Sequence, residues 1–283
     1  MRASAPPGGR SRLRLAETTT RSQRTPSRSP RPGHGVGTRG RSRAPPAAVF
    51  SSATRDVAAP EFDVAQRAMT FLARDGTEIP YLLHLPPGHA SHPRRRWPLV
   101  LHLHGAGERG RDPWTLLQKD LPRRLEDAPR FRFIVVSPQC PQRTTWTPLL
   151  PALLEMLDEL VPALRANVRC VHVTGPSMGG SGTWQLIALD PERFASAVPI
   201  SASVPPLRGW PGRAAQAASV NVWAFHGARD PVIPVREPRA LRAAHRAGGG
   251  RSRLTVLPGV GHEAWTPAYA NSRLWTWVFN RRR

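Results

Sequence analysis

The 283-residue chain carries 41 Lys and Arg against 19 Asp and Glu, a formal net charge of +22, with 32 Pro and only two Cys. All the basic residues but Lys119 are Arg, spread along the whole length without an aromatic-interleaved basic motif, which reads as compositional bias and argues against a nucleic-acid partner. Cys140 and Cys170 are too few for a disulfide framework and read as two free thiols with no metal site, and no run of about 18 apolar residues exists to span a membrane.

Residues 1–60 hold twelve Arg, eight Pro and only two acids, Glu17 and Asp56, so they carry +10 of the net charge. Without apolar periodicity such a segment buries too little surface to offset its ordering entropy, and a disordered leader is expected there. It contains no apolar stretch of the secretory kind and no adjacent arginine pair, which makes the cytoplasm the expected location. An organelle transit peptide, or a translation start nearer the domain, are the alternatives. Residues 61–283 are long enough for one domain with a sizeable core.

That domain opens with short strands over 69–73 and 78–85, joined by Arg74-Asp75-Gly76-Thr77, a hairpin signal. Apolar runs then alternate with helical patterns. Strands are predicted over 99–103, 133–137, 168–174, 195–200, 220–225 and 253–257. Helices are predicted over 115–127, 149–166, 178–190, 236–247 and 271–280. Continuous apolar strands alternating with helices predict an α/β fold whose mostly parallel sheet is covered on both faces, with an antiparallel N-terminal hairpin. The segment 201–218, with Pro205-Pro206 and Pro211-Gly212, is too short for more than a minimal lid.

In such sheets sites gather beyond the carboxyl ends of the strands. The run 168–174 leads into Gly175-Pro176-Ser177-Met178-Gly179 and then a helix, so Ser177 sits at the apex of a strand–turn–helix elbow. Glycines flank it because side chains there would collide with the neighbouring strand and helix. The following helix aims free N–H groups at the place where an oxyanion would form. A serine hydroxyl needs a base, and a histidine oriented by a carboxylate supplies one. Asp230 and His262 each follow a predicted strand, in the order Ser, Asp, His, which predicts a catalytic triad. The glycine-rich turn starting at His104 makes the Ala106 amide the candidate partner of the Met178 amide in an oxyanion hole. His102 is expected to be a satisfied core histidine, while His104 and His226 are expected to brace the turns they begin. Trp146 and Trp265 flank the site loops and are candidates for substrate contact.

The segments 103–110, 136–141, 175–180, 223–230 and 258–271, in this order, resemble the α/β-hydrolase superfamily, in particular its dienelactone-hydrolase and prolyl-oligopeptidase-like branch of esterases. The resemblance covers about residues 70–280. It implies an α/β-hydrolase fold and carboxylic-ester hydrolysis through an acyl-serine intermediate, with no cofactor. Where that branch usually carries a larger apolar or aromatic residue before the nucleophile, this chain has Pro176. A minimal lid favours soluble or polymer-attached esters, such as feruloyl or acetyl groups. Peptidase activity and a catalytically silent binding protein are the other readings, and oligomeric state is not legible.

Overall fold

Strand β1 (Gln66–Leu72) pairs antiparallel with β2 (Glu78–His84) through the expected Asp-Gly turn, where Asp75 Oδ1 accepts from the Thr77 amide at 2.8 Å. These elements open the computed structural model, which describes residues 66–128 and 130–283. The expected leader over residues 1–60 lies outside the described residues. Strands β3 (Trp97–His102), β4 (Ile134–Pro138), β5 (Ala166–Pro176), β6 (Ser196–Ile200), β7 (Asn221–Gly227) and β8 (Ser252–Leu257) complete one eight-stranded sheet. Its order is β1-β2-β4-β3-β5-β6-β7-β8, and every pairing from β4 onward is parallel. This is the mixed, mostly parallel architecture that the apolar runs predict.

Among the described residues six α-helices cover the sheet: α1 (Asp120–Glu126), α2 (Leu150–Ala163), α3 (Met178–Leu189), α4 (Arg236–Ala247), α5 (Trp265–Ala270) and α6 (Ser272–Phe279). The two faces carry two cores. One is built around Trp97, Leu153, Met156, Trp184 and Leu241, the other around Val100, Phe225, Tyr269 and Leu274. Strands between two cores must be apolar on both sides, which is why β4 and β6 are buried at every position.

One predicted helix comes out differently. The stretch 115–127 splits into a 3-10 helix (Pro113–Gln118) and α1, because Pro122 has no N–H to give Gln118 and its ring would collide with that carbonyl in a continuous helix. The chain turns through an extended Lys119 and a left-handed Asp120 (φ 57°), and Pro122 then falls in the first turn of α1, where proline is tolerated. The helix predicted over 271–280 is α6, preceded by a further short helix, α5, and the break between them carries an Asn271 side-chain cap on the Arg273 amide. Cys140 and Cys170 are both free and buried, and burial pushes the Cys140 thiol up to about 11. Among the described residues no helix is long and apolar enough to cross a membrane.

Candidate active site

The elbow is tight by construction. Ser177 holds φ 51° and ψ −115°, a conformation that costs an L-residue energy and persists only when its surroundings over-determine it. They do. The Ser177 amide donates to the Ile200 carbonyl at 2.8 Å, extending the β5–β6 ladder by one bond, and α3 starts at the next residue. A methyl group on Gly179 would overlap the Leu103 carbonyl and meet the His104 carbonyl at 2.8 Å, and one on Gly175 would overlap Leu103 as well. Glycine is therefore demanded by the close crossing of β5, α3 and the end of β3. Pro176 fits because alternate strand residues donate to opposite sides. Ser177 donates toward β6, so position 176 turns its nitrogen toward the β3 side, at the last residue of its own strand.

Ser177, Asp230 and His262 meet in line. His262 Nε2 lies 2.9 Å from Ser177 Oγ, and His262 Nδ1 lies 2.8 Å from Asp230 Oδ2. Asp230 arrives on the loop after β7, where its other oxygen accepts from the Val232 and Ile233 amides at 2.9 Å each. Its side chain is 1% exposed, whereas that of His262 is 19% exposed. Burial pushes the Asp230 carboxyl up, but the Ile233 amide, the His262 ring and the Val232 amide together outweigh burial and hold it below the usual carboxylate range. The loops after β7 and β8 are tied directly, with the Ala228 amide on the Leu257 carbonyl and the Arg229 amide on the Val260 carbonyl, both at 2.9 Å.

The oxyanion candidates lie on the same side. The first α-type bond of α3 runs from the Ser181 amide to the Ser177 carbonyl at 3.0 Å, so the Met178 amide precedes it and carries the positive end of the helix. Ala106 begins a 3-10 turn (Ala106–Glu108) after Gly105, and a methyl built on Gly105 would stand 4.0 Å from the Ser177 Cβ. His104 braces this turn as expected. Its Nδ1 donates to the Gly105 carbonyl at 2.5 Å and its Nε2 accepts from the Cys140 amide at 2.9 Å. Burial, against the Gly105 carbonyl and with help from Arg109, lowers its pKa to about 4. Gln139 adds a bond from Nε2 to the Glu108 carbonyl at 2.9 Å.

Two expectations need adjustment. Trp146, a candidate for substrate contact, is 1% exposed: its indole Nε1 donates to the His104 carbonyl at 3.0 Å and its ring meets the His104 ring edge-on at 4.9 Å. It packs behind the turn rather than in front of it. Trp265 remains beside the site, its ring edge-on to His262 at 5.4 Å and lining a recess of about 310 Å³ with Lys119, Asp120 and Glu263. His102 is buried as expected but not satisfied, since neither ring nitrogen has a hydrogen-bond partner among the described residues.

Two further groups support the site, one of them missed by the sequence reading. Ser201, just past β6, donates from Oγ to the His262 carbonyl at 2.7 Å, across 61 residues of chain. His226 is buried beside Asp230, 3.4 Å from Oδ2, with its Nε2 donating to the Ile233 carbonyl at 2.8 Å. Strand-end position was the only signal for Ser201, whereas His226 braces the loop it begins, as expected.

A family model described as phospholipase/carboxylesterase matches residues 148–270, which contain Ser177, Asp230 and His262. No curated protein matches the sequence. Among solved structures, a thermostable esterase is similar over 77% of this chain and 64% of its own, with 30% identity and a TM-score of 0.66. The feruloyl esterase module from Clostridium thermocellum is similar over 78% and 92%, with 18% identity and a TM-score of 0.59. Porphyromonas gingivalis dipeptidyl peptidase 4 is similar over 76% and 35%, with 10% identity and a TM-score of 0.61. The chain thus spans less than two thirds of the thermostable esterase and about a third of the peptidase.

Proposed function

The chain has the α/β-hydrolase fold, and from that premise we propose that it hydrolyses carboxylic esters by two-step acyl transfer through Ser177. The observation that carries this reading is the unbroken line from Asp230 through His262 to Ser177 Oγ, with contacts of 2.8 and 2.9 Å. His262 Nε2 takes the Ser177 proton as Oγ attacks the ester carbonyl. The Met178 and Ala106 amides hold the oxygen that becomes negative. His262 then hands the proton to the leaving alcohol, which departs as the acyl-serine forms. Water repeats the sequence: His262 removes its proton, the oxygen attacks the acyl carbon, and the proton returns to Ser177 as the acid leaves. Asp230 stays ionised throughout and stabilises the imidazolium.

The substrate class is small or polymer-attached esters, such as feruloyl or acetyl groups. The support is the segment after β6, whose one regular element before β7 is a 3-10 helix (Gly212–Ala217) and not a multi-helix cap. Trp265, half-buried beside His262, offers an aromatic edge to the acyl or leaving group.

The test is labelling of the full chain with a fluorophosphonate serine probe, parent beside Ser177→Ala, followed by p-nitrophenyl esters graded by acyl length and matched aminoacyl anilides. Labelling lost in the variant, with turnover falling beyond about eight acyl carbons, is the expected result. Preference for the anilides would replace the ester reading by a peptidase. A folded parent that takes no label would leave a binding protein on a hydrolase fold.

A further inference from the structure

The opposite end of the sheet carries a groove that the hydrolytic chemistry does not use. It lies where β7 and β8 begin, about 20 Å from the strand ends that bear Asp230 and His262, given about 3.3 Å per strand residue. The groove encloses about 460 Å³ and its charged lining is entirely cationic: Arg246, Arg251, Arg253 and Arg281, with no carboxylate. Ser252 and Trp277 complete the wall.

Two features separate this groove from scattered surface arginine. Ser252 is 5% exposed, and its Oγ has no hydrogen-bond partner among the described residues. The Nε of Arg281 is likewise buried and without a hydrogen-bond partner among them. Buried polar atoms are ordinarily paired, so two orphans in one groove mark donors waiting for an acceptor. Two of the four arginines are also held in place. The Arg253 guanidinium lies over the Trp223 ring at 4.0 Å, Trp223 meets Trp277 edge-on at 5.5 Å, and the Arg281 guanidinium lies over Trp277 at 5.0 Å. Stacking of this kind fixes the planar forks before any ligand arrives.

We propose that this groove is a binding site for a phosphate-type oxyanion, free or carried as a monoester, held by Arg251, Ser252 and Arg281 at the amino ends of β7 and β8. The lining matches the ligand in kind. Guanidinium groups only donate, the serine hydroxyl can donate, and a phosphate dianion presents charged acceptor oxygens, so each buried orphan gains a charge-assisted bond. The Trp277 ring offers an apolar wall to whatever group a monoester would carry.

The test is thermal unfolding of the full chain against inorganic phosphate and phenyl phosphate, at constant ionic strength made up with chloride so that screening stays fixed. Saturable stabilisation of roughly 3 to 5 °C at ten times Kd is expected for each ligand that binds. Tighter binding of phenyl phosphate identifies an esterified ligand, whereas equal binding identifies the free ion. Ser252→Ala should weaken binding about tenfold, the loss of one charge-assisted bond, while leaving the unliganded unfolding temperature unchanged or raised, because it removes an unsatisfied group. Arg251→Gln with Arg281→Gln should abolish the shift while the far-UV circular dichroism stays that of the parent. A shift that never saturates, or one that survives in the double variant, overturns the proposal. So does a Ser252→Ala protein that loses stability without losing phosphate affinity. Ester hydrolysis enters none of these readouts, so the proposal stands or falls apart from the function of Ser177.

Discussion

His262 can accept the Ser177 proton at Nε2 only in the tautomer that carries its hydrogen on Nδ1, and Asp230 Oδ2 at 2.8 Å selects that tautomer. Asp230→Asn isolates this effect. The amide oxygen would still accept from Val232 and Ile233, so the loop keeps its shape, but the NH₂ now faces Nδ1 and drives the ring hydrogen to Nε2. A fall in kcat of about 10⁴ is expected with KM changed little, because the defect lies in proton transfer and not in binding. Ester turnover by the variant checks it, and a kcat within tenfold of the parent would remove Asp230 from the mechanism. The three residues were legible because each stands just past an apolar run in a glycine-containing loop. Ser201 was not, since its contact is with a backbone carbonyl of His262 and no residue type in its own neighbourhood announces it. The empty hydrogen-bonding positions of His102 were equally invisible, because alternation in a strand reports burial and says nothing of partners.

The turn from His104 to Glu108 is an element whose position is set by its neighbours. Its carbonyls accept from the Trp146 indole at His104 and from the Gln139 amide at Glu108, and Arg109 reaches the Thr144 carbonyl at 3.0 Å. The loop after β4 therefore holds the turn that carries Ala106. Trp146→Phe keeps most of the packing against His104 and deletes one hydrogen bond. It should lower kcat about tenfold at nearly unchanged KM, with a loss of about 1 kcal/mol of stability measured by urea unfolding. An equal loss of stability with unchanged kcat would make Trp146 a core residue with no bearing on the turn. Sequence placed Trp146 near the site but on the wrong side of it, since an aromatic in a strand–helix loop packs inward or outward on the same local pattern. The break at Lys119 was written in Pro122 and yet obscured by the apolar spacing of Leu116, Leu121 and Leu125, which are all buried on both sides of the break.

At the scale of the whole fold, five histidines among the described residues are buried where a proton is unwelcome. Burial lowers His102 to about 3, with help from His104, and lowers His172 to about 3 and His104 to about 4. Burial also lowers His84 and His245, against carbonyls that raise them. The unfolded chain binds these protons near the ordinary 6.5 and the folded chain does not, so their contribution is complete above 6.5 and is lost as pH falls below it. At pH 5 His102, His172 and His104 each cost about 2 kcal/mol. Asp120 acts the other way. Burial, with Glu108 and Glu263 outweighing Lys119, raises its carboxyl to about 7, so the folded state takes up that proton first and gains on acidification, by about 2 kcal/mol between 6.5 and 5. Net destabilisation of about 4 kcal/mol or more by pH 5 is comparable to the whole stability of many domains. Cooperative acid unfolding is therefore expected between about pH 4 and 5, read by tryptophan fluorescence, before most carboxylates titrate. His102→Leu should move that midpoint downward and shallow the pH dependence of stability by one proton, because the leucine removes both orphan nitrogens and the site that the unfolded chain protonates. Native fluorescence maintained to pH 3.5 in the parent, or a His102→Leu variant with an unchanged slope, would show that these rings do not set the acid limit of the fold.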